Sequence, residues 1–300
     1  MKQYKECFGV TPACMTIWNS DQSYDKKGME RYLTWLVDNG AQSLSICGST
    51  GENIAMNMEE QREIIEHVLH FIDHQLPVFV GTGHYATKHT IEMSQFAQRH
   101  GADGVMVILP YYLTPYKEAV MNAFRDLRSA IDCNIMIYNN PWFAGYELDT
   151  WEIQTLVDEG VITSIKAAHG DADRIHKLKF YCKDKLNVFY GHDYCAMEAI
   201  LAGADGWLSG FPAVLIKQCR ALWDAAHAKD VDASRSAQNN IQPYIDYFFN
   251  DKVNGKPHWQ EICKYTLRAQ GLDVGTPRRP LGDLDDVNKK KVEKLLSEMR

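Results

Sequence analysis

A lysine stands near the C-terminal end of a run of apolar and β-branched residues, Val161 to Ala168. That composition is typical of a buried β-strand, where no water solvates an ammonium group. Lys166 therefore either has its pKa lowered from about 10.4 by desolvation, or is strongly paired, or reaches solvent from the strand end. A desolvated neutral lysine is a nucleophile that forms Schiff bases with carbonyl compounds. The strand alone leaves these interpretations open.

Other polar residues that could act on a captured carbonyl group also follow apolar runs. Tyr138 lies near the end of the run 134–140, and a phenol with a pKa near 10 can move protons during carbonyl chemistry. The turn Gly48-Ser49-Thr50-Gly51 offers backbone N–H groups and two hydroxyls to a carboxylate. His192 and Ser209 end two further runs. A carboxylate-bearing ketone is the kind of substrate that this set predicts.

These residues need a fold that brings strand ends together. Eight apolar runs alternate with segments of helical spacing, and the runs are residues 8–18, 43–48, 77–83, 104–110, 134–140, 161–168, 187–192 and 206–211. A doubly wound open sheet gives the same alternation, but the count of eight favours a (β/α)8 barrel. Alternate residues of the second run share one face of the predicted strand, and on this face they are small or polar: Ser43, Ser45, Cys47 and Ser49. This pattern also favours the barrel.

After about residue 230 only helical patterns remain. The predicted architecture is therefore an α/β chain, with a (β/α)8 TIM barrel over residues 1–229 and a C-terminal helical extension over residues 230–300. Chemistry in such a barrel sits at the C-terminal ends of the strands, and that end collects the polar residues named above.

The composition excludes several classes of partner. The net charge of -7 argues against nucleic acid and anionic membranes, and no window approaches the ~18 apolar residues of a membrane span. Residues 1–8 lack the apolar core of a signal peptide. Eight scattered cysteines without a C-x-x-C pair indicate reduced thiols and a cytoplasmic protein. His67, His70 and His74 have helical spacing, but we expect them on a solvated outer face rather than at a metal.

Several motifs together resemble one family. Gly48–Glu52, Pro110-Tyr-Tyr112, Tyr138-Asn-Asn-Pro141 and Ser164-Ile-Lys166 have the order and spacing of the dihydrodipicolinate synthase/N-acetylneuraminate lyase family of Schiff-base aldolases. The segments Gly203–Gly206 and Pro277–Leu281 also look like family features, so that the resemblance spans nearly the whole chain, from Gly9 to Leu281.

The resemblance implies a role for each matching residue. Lys166 would form the imine with pyruvate or another 2-oxo acid, and Tyr138 would be the general acid/base. Ser49 would relay protons from Tyr138, while Thr50 and the backbone at Gly48 would hold the carboxylate. Tyr112 resembles a tyrosine that this family contributes across a dimer interface. The resemblance further implies a homotetramer, built as a dimer of dimers, without metal or organic cofactor.

One position departs from the family pattern. Dihydrodipicolinate synthases carry an arginine where this chain has Phe143, and a phenyl ring cannot bind a carboxylate in bidentate fashion. We expect an aromatic pocket instead, formed by Trp142, Phe143, Trp207 and Phe211, with His192 and Ser209 as polar groups for substrate binding. Glu52 would repel a substrate carboxylate, and we expect it to tie the loop.

The sequence thus predicts a lyase, aldolase or dehydratase that acts on pyruvate or a 2-keto-3-deoxy acid through a lysine imine. A synthase that condenses pyruvate with aspartate semialdehyde is the second enzymatic alternative. A non-catalytic barrel that binds 2-oxo acids is an alternative of another class, since fold alone does not fix function. A pure binder would need neither Lys166 nor Tyr138.

Overall fold

The chain folds into eight parallel strands, each followed by helical structure. A computed structural model describes residues 8–250 and 257–299; the first seven residues, part of the segment judged to lack a signal peptide, lie outside them. The strands are β1 (Gly9–Pro12), β2 (Leu44–Ile46), β3 (Val78–Gly81), β4 (Gly104–Ile108), β5 (Asn134–Asn139), β6 (Ser164–Ala167), β7 (Asn187–Tyr190) and β8 (Gly206–Ser209). All are shorter than the apolar runs that predicted them.

The helices of the barrel and its extension follow in chain order. They are α1 (Lys26–Asp38), α2 (Met58–Ile72), α3 (Thr87–Arg99), α4 (Lys117–Ala130), α5 (Pro141–Ala144), α6 (Thr150–Asp158), α7 (Asp173–Cys182), α8 (Ala196–Leu201), α9 (Ile216–His227), α10 (Val231–Asn250), α11 (Trp259–Ala269) and α12 (Asp286–Glu298). Local sequence sets several ends. Asn57 and Glu60 form a capping box at the start of α2, and Gly40 adopts φ +103° just after α1.

The strands close into a barrel. Each strand pairs in parallel with its neighbours in the order β1-β8-β7-β6-β5-β4-β3-β2, and a parallel bridge between Ala13 and Ser45 joins the two remaining edges. The predicted (β/α)8 barrel with C-terminal helices is confirmed. The carboxyl ends of all eight strands consequently face one mouth.

Two apolar clusters build the core. One fills the barrel and consists of Ala13, Phe79, Met106, Met136, Tyr138, Ala168, Phe189 and Leu208. The other lies between the strands and the helices. Ser45 lies inside, with its hydroxyl 4.0 Å from the Met106 sulfur, whereas Cys47 packs in the outer cluster. The predicted shared face is wrong for Cys47, because β2 ends at Ile46 and Cys47 adopts φ +53°.

The C-terminal helices pack against one another and against the barrel. Tyr244 on α10 is buried, and its hydroxyl lies 2.7 Å from the Thr266 hydroxyl on α11. Gln270, just after α11, donates to the carbonyl of Val214 at 2.7 Å. The division of the chain at residues 229 and 230 stays a prediction. Among the described helices, none combines the length and apolarity that crossing a bilayer requires.

Candidate active site

A lysine and a tyrosine face each other inside the barrel. Tyr138 on β5 and Lys166 on β6 are partners in the strand register, and each is 5% exposed. The Lys166 Nζ lies 4.1 Å from the centroid of the Tyr138 ring. Both side chains share the parity that points into the barrel, and the strand pairing holds them side by side.

Burial shifts the pKa of both groups. Desolvation lowers the pKa of Lys166 from its ordinary 10.5 to about 7, and the Asp193 carboxylate acts in the opposite direction. Desolvation likewise raises the pKa of Tyr138 to about 12, while hydrogen bonds from Asn140 and Ser49 oppose that rise. The Asn140 amide donates to the phenol oxygen at 2.8 Å. Near neutral pH the pair therefore combines an amine that is neutral in a large fraction of the molecules with a protonated phenol.

Asp193 is a buried carboxylate among the polar residues that follow the strand ends, and the sequence predicts no role for it. It is 5% exposed, accepts a hydrogen bond from the Ser209 hydroxyl, and accepts another from the Trp207 indole N–H at 3.2 Å. Burial raises its pKa to about 7, against the effect of these donors and of Lys166. The rule that selected His192, a polar residue just after β7, also applied to Asp193.

His192 is neutral and held by aromatic rings. Its ring stacks on Tyr194 at 4.1 Å and on Phe249 at 5.0 Å, and its Nδ1 accepts a hydrogen bond from the Asp193 amide at 2.9 Å. Burial, followed by the charge of Lys166, lowers the pKa of His192 to about 4. His192 and Ser209 both contact Asp193, so that the three residues form one unit behind Lys166.

The loop after β2 brings Ser49 to Tyr138. Thr50 is buried beside it, and a Cβ at Gly48 would lie only 3.1 Å from the Met106 Cε inside the barrel. The Ser49 carbonyl accepts a hydrogen bond from the Gln260 amide of α11 at 2.8 Å. A residue of the C-terminal helices thus fixes the backbone of the predicted carboxylate site.

Glu52 ties the same loop more tightly. Its carboxylate is buried and accepts hydrogen bonds from the Trp18 indole at 3.0 Å and the Arg278 backbone amide at 2.7 Å, and it pairs with the Lys264 ammonium at 3.0 Å. Lys264 is fully buried, and desolvation lowers its pKa to about 8 despite the charge of Glu52. These contacts agree with the expected loop-tying role of Glu52.

A cavity of about 510 Å³ opens above Ser49. Trp142 and Phe143 on α5, Tyr111 and Trp259 contribute to its lining. Trp207 and Phe211, predicted to line the pocket, do not. Trp207 alternates with Leu208, which points into the barrel, and Phe211 packs on Tyr244 and Phe248 of α10.

The match to a family model covers the whole of this architecture. Residues 6–299 match the model of the dihydrodipicolinate synthetase family. The chain belongs to this family.

Individual members of the family resemble the chain over nearly its full length. A 4-hydroxy-tetrahydrodipicolinate synthase of Prochlorococcus marinus (strain MIT 9211) is 30% identical over 289 residues, which cover 96% of this chain and 94% of the relative. YagE, a prophage protein of E. coli K12 that belongs to the dihydrodipicolinic acid synthase family, was solved in complex with pyruvate. Its structure has a TM-score of 0.90 at 26% identity and covers 97% of this chain and 98% of its own. The structure of the dihydrodipicolinate synthase of Acinetobacter baumannii, also complexed with pyruvate, has a TM-score of 0.89 at 26% identity. The match covers 98% of this chain and 99% of the Acinetobacter chain.

Family membership makes this chain an enzyme, a lyase of the Schiff-base, class I aldolase type. Within the described residues, no group of three or more His, Cys, Asp and Glu side chains has an arrangement that could hold a metal ion.

Tyr112 lies apart from the pair of Lys166 and Tyr138. Its side chain is 93% exposed and its φ is +80°, a left-handed conformation that is uncommon for a bulky residue. Leu113 and Tyr116 beside it are exposed too, and the Tyr85 hydroxyl donates to the Leu113 carbonyl at 3.2 Å. These residues form an apolar surface at the mouth of the barrel.

Proposed function

We propose that this lyase acts on pyruvate or a 2-keto-3-deoxy acid through an imine on Lys166. The observation that carries the proposal is the buried amine of Lys166 over the Tyr138 ring, next to a cavity that opens at Ser49. An amine with a pKa of about 7 is neutral in a large fraction of the molecules near neutral pH, and the neutral form can attack a ketone. The pyruvate complexes of YagE and of the Acinetobacter synthase support a 2-oxo acid as the captured group.

The surrounding residues divide the remaining chemistry. Tyr138 serves as general acid/base, which gives a proton to the departing carbinolamine hydroxyl and takes the proton of the substrate hydroxyl during bond cleavage. Ser49, hydrogen-bonded to Tyr138, relays these protons toward the cavity. Thr50 and the backbone at Gly48 hold the carboxylate of the 2-oxo acid.

The protonated imine then acts as an electron sink. When the C3–C4 bond breaks, its electron pair moves into the imine and gives an enamine, and C4 leaves as a carbonyl compound. Protonation of C3 and hydrolysis of the imine release pyruvate and restore the Lys166 amine. Asp193 favours the protonated imine, because an anion beside it stabilises the positive charge. His192 and Ser209 position Asp193, and Phe143 forms a wall for the substrate tail.

Two alternatives remain as competitors. A 4-hydroxy-tetrahydrodipicolinate synthase is favoured by the names of the relatives, but Phe143 removes the arginine that would bind the acid group of aspartate semialdehyde. A non-catalytic 2-oxo-acid binder would not require an amine held neutral beside a phenol.

Borohydride reduction tests the imine directly. We expect a mass increase on the Lys166 peptide only when pyruvate is present, and no increase in Lys166→Arg, whose fold is checked by circular dichroism. If pyruvate is not trapped on the folded wild-type protein, the imine is refuted and the non-catalytic 2-oxo-acid binder is favoured. A coupled assay with aspartate semialdehyde then tests the synthase, which we expect to be at least about a hundred-fold poorer than with the enzyme's own substrate.

We further propose a cytoplasmic homotetramer, built as a dimer of dimers. Tyr112, Leu113 and Tyr116 form an exposed apolar surface of the kind that marks subunit contacts, and Tyr112 would reach the neighbouring active site from it. Sedimentation velocity measures the assembly. Tyr112→Phe should lower kcat without dissociating it, and a Tyr112→Phe enzyme with full activity would remove Tyr112 from the site.

A further inference from the structure

The cavity above Ser49 has mostly apolar walls. Its aromatic rings come from three parts of the chain: the segment after β4, the short helix α5 and the start of α11. The aromatic and aliphatic lining residues are Ile54, Ala55, Ile108, Tyr111, Trp142, Phe143, Trp259, Pro280 and Leu281. Planar rings on several sides create a site that stacks on a flat apolar group.

Most polar groups of the lining already have partners. The Gln260 amide donates to the Ser49 carbonyl, and the Nδ1 of His258 accepts from the Gln260 backbone amide at 3.3 Å. The carboxylate of Glu52 is shared among Trp18, Lys264 and Arg278, as described above.

The Arg278 guanidinium is engaged as well. It donates to the Ala55 carbonyl at 2.8 Å and to the Gln22 carbonyl at 2.8 Å, pairs with Glu60, and lies 3.7 Å from the centroid of the Trp18 ring. Arg279 is exposed at the lip of the cavity. Apart from Ser49, the other polar side chains of the lining are Asn53 and Tyr111. A chain of hydroxyl groups needs a donor or acceptor for each hydroxyl, and these residues supply fewer such groups than the rings supply apolar surface.

From this lining we infer that the tail of the substrate is an aromatic ring. The substrate class is a 4-hydroxy-2-oxo acid with an aryl group on C4, which the enzyme cleaves to pyruvate and an aromatic aldehyde. The inference rests on the proposed function, because the imine on Lys166 holds the 2-oxo acid while the ring occupies the cavity.

The cleavage balances without any further reactant. Imine formation releases one water and imine hydrolysis consumes one. Tyr138 accepts the proton of the C4 hydroxyl as the C3–C4 bond breaks, and C4 becomes the aldehyde carbon. The bond electrons pass to C3 as the enamine, and a proton returned to C3 completes pyruvate.

A comparison of three substrates tests whether the substrate tail is an aromatic ring. We expect kcat/KM for 4-hydroxy-2-oxo-4-phenylbutanoate, followed by benzaldehyde absorbance, to exceed that for 2-keto-3-deoxygluconate by roughly a hundredfold. Pyruvate with aspartate semialdehyde, in the condensation direction, should be as poor as the sugar acid. Equal rates, or a preference for the sugar acid or the semialdehyde, would overturn the aromatic tail.

Variants of the wall locate the ring. Phe143→Ala and Trp142→Ala should each raise KM for the phenyl substrate about tenfold, with a smaller effect on kcat, because stacking contacts are lost. Trp151→Ala, which removes an exposed tryptophan of α6 outside the cavity, is the matched control and should leave KM unchanged. Unchanged KM values in both wall variants would also overturn the inference.

The borohydride experiment distinguishes a failure of the aromatic-tail inference from a failure of the proposed imine on Lys166. If pyruvate is trapped on Lys166 but the phenyl substrate is not preferred, the imine stands and the aromatic tail is wrong. If pyruvate is not trapped on the folded protein, the proposed function itself fails.

Discussion

Replacing the buried Lys166 should stabilise the protein, and the gain should depend on pH. Burial lowers the pKa of Lys166 from 10.5 to about 7 in the folded state, whereas the unfolded chain keeps the ordinary value. Between these two pH values the unfolded state binds a proton that the folded state lacks. The free energy of unfolding of the wild type therefore rises with pH across that window, by about 1.4 kcal/mol per pH unit.

Lys166→Met removes this dependence, because methionine does not titrate. At pH 7 and below, the variant avoids a desolvation penalty of about 5 kcal/mol, which the folded wild type carries. That advantage shrinks as pH rises, and between pH 7 and 9.5 it should fall by about 3 kcal/mol. An additional constant difference from packing does not alter the slope.

Urea denaturation at three pH values measures the effect. Wild type and Lys166→Met are compared at equal protein concentration at pH 7, 8.25 and 9.5, so that linked assembly cancels. Lys88→Met, at an exposed site on α3, should track the wild type at every pH. The same comparison in an Asp193→Asn background removes the neighbouring carboxylate. If the difference in the free energy of unfolding between wild type and Lys166→Met stays constant within about 0.5 kcal/mol across the three pH values, the buried amine with a lowered pKa is refuted.

Three further predictions concern the site and its support. The rate of pyruvate-dependent borohydride trapping, followed by mass spectrometry, should rise with pH through about 7 and level off near 8, as the Lys166 amine loses its proton; a rate that still climbs tenfold per unit at pH 9 would contradict it. Tyr138→Phe should lower kcat by about 10²–10⁴ while Lys166 is still trapped by pyruvate, and near-normal turnover would exclude Tyr138 as acid/base. Lys264→Met should lower the free energy of unfolding in urea by about 3–5 kcal/mol, because Glu52 stays buried without its cation. The double variant with Glu52→Gln should recover at least half of that loss, and a purely additive effect would contradict the pairing.

The sequence was sufficient for the barrel and for its central pair. Lys166 stood out because no other apolar run contained a lysine or arginine, and its strand followed directly after that of Tyr138. Sequential strands of a (β/α)8 barrel are neighbours, and the parity of each strand then decides which side chains point inward. Both rules act over a few residues and can be applied without coordinates.

Features that depend on distant contacts could not be obtained in this way. The sequence predicts Trp207 in the pocket. In the structure its neighbour Leu208 points into the barrel, so Trp207 points to the outer side, where its indole N–H reaches Asp193. The partnership of Glu52 with Lys264 joins two segments far apart in sequence, and neither segment carries a local signal for it. The loop role of Glu52 was expected on electrostatic grounds, but its partners were not.

The hydrogen bonds and the ion pair between Glu52 and the C-terminal segment can form only late in the synthesis of the chain. The amide of Arg278, which binds the Glu52 carboxylate, lies 226 residues further along the chain. At about 5–20 residues per second, the ribosome needs roughly 11–45 s to add that stretch. During this interval the emerging barrel already contains Lys166 for part of the time, but the turn at Ser49 lacks the anchors that shape it. The nascent chain thus contains Lys166 before the turn at Ser49 has its C-terminal anchors, and the full set of contacts around Glu52 forms only after translation has passed Arg278.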